Sequence, residues 1–211
     1  MTITVHPDTR ITVVSPFGLY REDVLEEVRH RARWIVKHRE FFRQFMPRLP
    51  EKNYVSGETF YYLGRQYRLK VVHGPRNSVK LIGRYIWVQI SDRSNAGKVK
   101  VLVQQWYTKH ARAVFERLLG ICYDVAKRHR IPCPQIRLRR MTKRWGSCGK
   151  NTTILLNTEL VKAPIHCVDY VIMHELCHFR FSKHDSRFSR LLSLLMPDWQ
   201  QRKGRLEKVV V

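Results

Sequence analysis

His174-Glu175-Leu176-Cys177-His178, with His184 after five further residues, is the stretch on which the reading of this chain turns. Histidines four positions apart project from one face of a helix, so two imidazoles can reach a single ion while Glu175 stands beside its open coordination position. The flanking residues supply the helix. Pro164 suits a first helical position, where a missing N–H is tolerated, and Ile165, Val168, Ile172, Leu176 and Phe179 recur at three- and four-residue spacing behind it. This pattern predicts one buried helix from residue 164 to about residue 181. His174 and His178 lie off the apolar stripe on a shared flank, as a helix between core and cleft requires.

A catalytic zinc site takes three protein ligands and keeps a fourth position for water. His184 is the candidate third ligand. The spacing equals that of the metzincin proteases, although Phe181 stands where they carry a turn glycine. Ser182-Lys183-His184-Asp185-Ser186 is a polar break between apolar periodic segments, which is where a turn towards the metal would lie. Asp185 and Glu207 are rival ligands. Asp185 could instead orient an imidazole, or cap a helix beginning near Ser186. Zinc on three neutral imidazoles lowers the pKa of water from about 16 towards 7 and polarises carbonyls. Glu175 would then serve as general base and pass the proton to a leaving amine. The expected cofactor is Zn2+, and the natural reaction is hydrolysis of a peptide bond in a protein or peptide substrate.

Other chemistries are excluded by composition. Cys122, Cys133, Cys148, Cys167 and Cys177 include no Cys-x-x-Cys pair, so neither a zinc ribbon nor a thioredoxin-like centre is indicated. Their odd, scattered number points to a reducing compartment. Cys177 falls off the metal-facing side and reads as a small core residue. Met1 to Arg10 has no apolar signal segment, and no run approaches 18 apolar residues. A cytoplasmic protein with no membrane partner is expected.

The chain resembles the YgjP-like metallopeptidase family, related to the SprT-like proteases, over nearly its full length. The resemblance lies in Tyr54-Val55-Ser56-Gly57-Glu58, Tyr62-Leu63-Gly64-Arg65-Gln66-Tyr67-Arg68-Leu69, Arg144-Trp145-Gly146-Ser147-Cys148, Ile154-Leu155-Leu156-Asn157, His174 to His178, His184-Asp185-Ser186 and Pro197-Asp198-Trp199. It implies a zinc-dependent metallopeptidase fold with His174, His178 and His184 as ligands and Glu175 as base. It implies little about substrate. The chain departs from the family pattern in a short start before Ile3 to Val5.

The expected fold class is α+β: a zincin-like catalytic domain of long helix, small sheet and motif helix, with an N-terminal helix and β-hairpin region. Residues 1–95 are expected to form the N-terminal region and residues 96–211 the catalytic domain. Thr2 to Ser15 reads as a hairpin turning at Pro7-Asp8, and Arg21 to about Phe45 as a helix ending before Pro47. Thr59 to Ile90 reads as three or four strands with turns at Leu63-Gly64-Arg65, His73-Gly74-Pro75 and Ile82-Gly83-Arg84. Ser91 to Gly97 is the expected linker. Lys98 to Arg130 reads as a long amphipathic helix carrying Val101, Trp106, His110, Val114, Leu118, Ile121 and Val125. Gln135 to Met141 and Thr152 to Leu156 are candidate strands. Zincins place an edge strand beside the catalytic helix for a substrate to pair with, and Ile154 to Asn157 is the candidate for it. Arg144, Trp145 and Asn157 are candidate cleft residues. Against this stand a core role for Trp145, a solvated Arg144, and turn or cap duty for Asn157.

Forty Lys and Arg against 17 Asp and Glu give a net charge of +23, a field that favours polyanions. The densest patch comprises Lys127, Arg128, Arg130, Arg137, Arg139, Arg140, Lys143 and Arg144, with no acidic residue among residues 127–144. If Gln135 to Met141 is a strand, Arg137 and Arg139 share one face and Arg140 the other. Nucleic acid, DNA in particular, is thus a candidate partner, weighed against an indiscriminately basic surface. Two function classes follow: a zinc peptidase, acting on nucleic-acid-associated proteins, or a nucleic-acid-binding accessory module with a structural or vestigial zinc site. Glu175 favours the first. Deacylation of a non-peptide amide is a third class, which a deep closed pocket would favour.

Overall fold

Apolar residues at alternate positions build most strands of this protein, and one long helix gives the four- and three-stranded sheets a surface to pack on. The computed structural model describes residues 1–5, 10–43, 52–142, 144–149 and 151–209. Two compact units divide between residues 50 and 51. This corrects the boundary expected near residue 95, for a packing reason. Phe60, Leu69, Val71, Ile86 and Val88 share one core with Val99, Val103 and Phe115 of the next helix and with Ile154 and Leu156 beyond it. Ser91 to Gly97 is accordingly a bend within that unit, ending at Asn95, whose side chain accepts from the Lys98 N–H at 2.9 Å and caps the helix that follows.

The first unit holds an antiparallel hairpin, β1 (Thr2–Val5) and β2 (Ile11–Val14), with Thr2 opposite Val14. Its helix is two helices, α1 (Arg21–His30) and α2 (Ala32–Arg43), interrupted at Arg31. The expected turn at Pro7-Asp8, and the helix end at Phe45 and Pro47, lie outside the described residues. Ile3, Val5 and Ile35 form its small core.

In the second unit, β3 (Thr59–Tyr62), β4 (Arg65–His73), β5 (Ser78–Ile82) and β6 (Tyr85–Ile90) form one sheet in the order β3-β4-β6-β5. The turns fall where expected, but β4 and β6 are parallel, with Leu69 opposite Ile86 and Val71 opposite Val88. The chain leaves β4, forms β5 on the far side and returns between them. Leu63 and Gly64, at φ 50° and 78°, make the β3–β4 turn with two left-handed residues, the geometry whose twist matches paired strands. Their N–H groups donate to Val161 and Lys162 carbonyls at 2.9 and 3.0 Å, which fastens the turn to the segment before Pro164.

Helix α3 (Ala96–Ala126) buries Val99, Val103, Trp106, Tyr107, Ala111, Val114, Phe115, Leu118, Leu119, Cys122 and Ala126. The expected stripe is partly misplaced: Trp106, Val114 and Leu118 are inside, whereas Val101, Ile121 and Val125 are about half exposed. A second sheet takes the order β7-β9-β8, from β7 (Gln135–Arg139), β8 (Gly146–Gly149) and β9 (Thr153–Asn157). Helix α4 (Ile165–His178) starts after Pro164, which caps rather than begins it, and ends three residues sooner than the apolar pattern suggested. It is buried nearly all round, with Val168, Ile172, Leu176 and Cys177 fully inside. Helices α5 (Ser186–Leu195) and α6 (Trp199–Leu206) complete the unit. No helix among the described residues is long and apolar enough to cross a membrane.

Two glycines test this packing with opposite signs. At Gly64 a Cβ would fall 2.8 Å from Pro164 Cγ and 2.9 Å from its Cα, at a positive φ. Gly64→Ala is expected to lose about 1–3 kcal/mol of stability. Gly120, exposed within α3, has nothing within 4 Å of its would-be Cβ. Gly120→Ala is expected to add about 1 kcal/mol. Denaturant titration of the two variants reads both changes.

Candidate metal centre

The motif helix aims its polar flank at one point. Nε2 of His174 lies 3.2 Å from Nε2 of His178 and 2.9 Å from Nε2 of His184. All three imidazoles offer a ligand atom within 4.8 Å of the others, so they could hold a metal ion together. Asp185 and Glu207 are not part of this group. Burial, then the neighbouring imidazoles of His178 and His184 and the charge of Lys203, push the His174 pKa down to about 3. Burial likewise lowers that of His178, against the opposing pull of the Phe181 carbonyl. Neutral imidazole, the form a metal requires, is therefore favoured where the nitrogens meet.

One ring is held from behind. His178 Nδ1 lies 3.0 Å from the Phe181 carbonyl, which the chain presents as it leaves α4. Such a bond fixes the tautomer that leaves Nε2 free. His184 is carried to the other two by the cap of α5. The Asp185 carboxylate accepts from the Arg187 and Phe188 N–H groups, both at 3.0 Å, and pairs with the Arg187 guanidinium. These bonds hold its carboxyl below the usual range. The cap also buries Phe188, whose ring lies 4.8–5.0 Å from all three imidazole centroids and floors the cluster. Phe188 escaped the sequence reading because its only signal there is one apolar position in an amphipathic helix. His174 Nδ1 is buried without a hydrogen-bond partner.

Glu175 points the other way round the helix, to β8. Its carboxylate is buried, at 6% exposure, and packs on the backbone of Gly146. A Cβ at residue 146 would lie 2.8 Å from Glu175 Oε1 and 3.1 Å from Val171 Cγ1. Burial raises the Glu175 pKa to about 7, while a hydrogen bond from the Cys148 N–H and the charge of Arg144 oppose the rise. The Arg144-Trp145-Gly146-Ser147-Cys148 stretch thus leads into the strand β8 at Gly146, whose backbone seats the acid. Sequence singled it out without finding either the strand or its task.

The remaining candidates divide. Arg144 is exposed and reaches Glu175 through its charge. Trp145 packs its ring against the core. Asn157 does not line a cleft: it is 4% exposed and works inside the fold. Its Nδ2 donates to the Met141 and Arg144 carbonyls at 2.8 and 3.1 Å, and its Oδ1 accepts from the Met141 and Glu159 N–H groups. It therefore ties down the loop leading to β8 and caps the short helix Thr158–Lys162. The expected edge strand is also corrected. Ile154 to Asn157 pairs with β7 on one side and β8 on the other, and the edge beside α4 is β8.

Comparison with known proteins gives the family. The YgjP-like metallopeptidase domain model matches residues 1–209. The chain belongs to the YgjP-like metallopeptidase family. That family is one of metallopeptidases, which are hydrolases. No curated protein matches the chain. Among solved structures, the metallopeptidase zymogen abylysin of Pyrococcus abyssi is similar at 23% identity and a TM-score of 0.40, over 44% of this chain and 90% of that one. A likeness of that size adds nothing to the family assignment.

Of the basic patch, Lys127, Arg128, Arg130, Arg137, Arg139 and Arg140 are all exposed, and Lys143 lies outside the described residues. Lys127 is paired with Asp124 at 2.7 Å. Arg137 and Arg139 do share one face of β7, while Arg140 follows its end.

Asn157 gives a clean test of internal against substrate duty. Asn157→Ala strands several buried backbone groups and is expected to cost about 2–4 kcal/mol in thermal or denaturant unfolding. Unchanged stability with lowered hydrolysis would return it to the cleft.

Proposed function

We propose that the protein is a zinc-dependent peptidase of zincin-like architecture, with His174, His178 and His184 as ligands and Glu175 as general base. The convergence of three Nε2 atoms, together with a buried, backbone-seated carboxylate on the residue after His174, carries this reading. The donor set fits the ion, because three imidazoles with no thiolate suit a catalytic zinc that keeps one position open. Zinc held there would supply Lewis acidity, drawing the pKa of water towards about 7 and polarising a scissile carbonyl.

The chain's own residues do the rest. Glu175 takes a water proton on its carboxylate and delivers it to the leaving amine. Its raised pKa suits both halves of that exchange at neutral pH, since a base and an acid of matched strength are needed in turn. Gly146 and the Cys148 N–H hold the carboxylate in one orientation. The free side of β8 offers backbone groups to an extended peptide, which would lie along the edge nearest Glu175. His184 is exposed, so the centre opens at the surface, as a polypeptide substrate needs and a closed amide pocket would not provide. The basic surface supports action on proteins associated with nucleic acid.

Elemental analysis and casein cleavage on three proteins test this. Wild type is expected to hold one zinc per chain and to cleave. Glu175→Gln is expected to keep the metal and lose hydrolysis by 100-fold or more, on the order of a general base's contribution. His184→Ala is expected to lose most of its zinc. Zinc lost equally from Glu175→Gln would overturn the role given to Glu175, and zinc undiminished in His184→Ala would overturn the ligand set.

A further inference from the structure

One face of the four-stranded sheet has no part in the metal centre. Leu69, Val71, Ile86, Val88 and Ile90 point inward to α3 and are buried. Alternation along the strands then turns Arg68 and Lys70 of β4, Lys80 of β5, and Tyr85 and Trp87 of β6 to the outer face. Cross-strand register draws them together. Tyr85 is opposite Arg68, and Trp87 lies between Lys70 and Lys80. Lys70 Nζ stands 4.3 Å from the Trp87 ring centroid and 5.7 Å from that of Tyr85. Tyr85 is 42% exposed and Trp87 half-buried, although neither side chain is needed by the core beneath.

Charge on this sheet has one sign. Residues 59–90 contain six Lys and Arg and no Asp or Glu. Among the described residues, Arg68, Lys70 and Lys80 meet no carboxylate. A solvated basic face would not need two outward aromatic rings. A membrane-surface face would present aliphatic bulk and a helix with an apolar side, not flat rings alternating with cations on a sheet. Aromatic rings two positions apart on a strand, bordered by ammonium and guanidinium groups, offer bases a stacking platform and phosphates a partner at once.

We propose that the outer face of this sheet, centred on Trp87, Tyr85, Lys70 and Lys80, binds single-stranded nucleic acid. Bases stack on Trp87 and Tyr85 while Arg68, Lys70 and Lys80 take the phosphates. The site is separate from the Arg137 and Arg139 face of β7, which has cations without aromatic residues between them. It rests on the nucleic-acid part of the proposed function and is independent of zinc and of hydrolysis.

Fluorescence anisotropy with a short labelled oligothymidylate, repeated across a salt series, tests it. Trp87→Ala is expected to weaken binding about tenfold, the loss of one stacked base, and Trp87→Phe to restore most of it. The double substitution Lys70→Gln with Lys80→Gln is expected to reduce the salt slope by about 1.4, the loss of two single-strand phosphate contacts. Circular dichroism and the melting temperature guard against unfolding. A labelled duplex of the same length is expected to bind with no dependence on Trp87, since its bases are not free to stack. Binding that ignores all these substitutions but falls in Arg137→Gln with Arg139→Gln would overturn the sheet site and leave the nucleic-acid reading standing. No binding by wild type would overturn both, and Trp87-dependent binding to anionic phosphatidylserine vesicles without oligonucleotide binding would assign the face to lipid instead.

Discussion

A carboxylate buried against a glycine backbone ties the motif helix to its sheet. Glu175 packs so closely on Gly146 that a Cβ there would lie 2.8 Å from its Oε1, and it is 6% exposed. An acid in that position is held at a pKa near neutrality by loss of water, with one N–H from β8 keeping it in line. Much of the surrounding structure serves that contact. Asn157 clips the loop that delivers β8, the β7-β9-β8 order leaves β8 at the edge, and the Leu63-Gly64 turn braces the segment before α4. The imidazoles depend on a second device, the Asp185 cap, which brings His184 in and places Phe188 beneath the cluster.

Local chemistry made part of this legible in the sequence. The three histidines and Glu175 are declared by spacing, because a helix repeats its faces on a fixed period. The Leu63-Gly64 turn and the hairpin at Gly83 are declared by residues that tolerate positive φ. Asp185 could be read as a cap because an aspartate before an amphipathic run has a local partner to find.

What escaped depends on partners distant in the chain. Nothing within β4, β5 or β6 says that β6 slips between the other two, since either order satisfies the alternation of each strand. Strand β8 hides in a Gly-Ser-Cys-Gly run with little β propensity and exists because β9 pairs with it. Ile154 to Asn157 is apolar because it is the central strand, paired on both sides and largely buried, and the edge falls to β8 instead. Cap duty for Asn157 is one of its two readings and holds, whereas its bonds to Met141 and Arg144, far back in the chain, have no sequence signal. On α3 the error was one of phase: over 31 residues a stripe drawn through Val101, Ile121 and Val125 drifts off the face that meets the sheets.

The length of α3 has a further consequence. At about 1.5 Å per residue the helix runs roughly 46 Å, far enough to lie under both sheets and beside α4. Neither sheet has a private core to fall back on, because the buried residues of residues 51–209 join in a single cluster threaded by this one element. Melting should then proceed as one cooperative event across that unit, with amides of both sheets exchanging at a common free energy. Among the described residues, the hairpin and helices before residue 50 share three buried side chains, Ile3, Val5 and Ile35, and their amides belong to a weaker class.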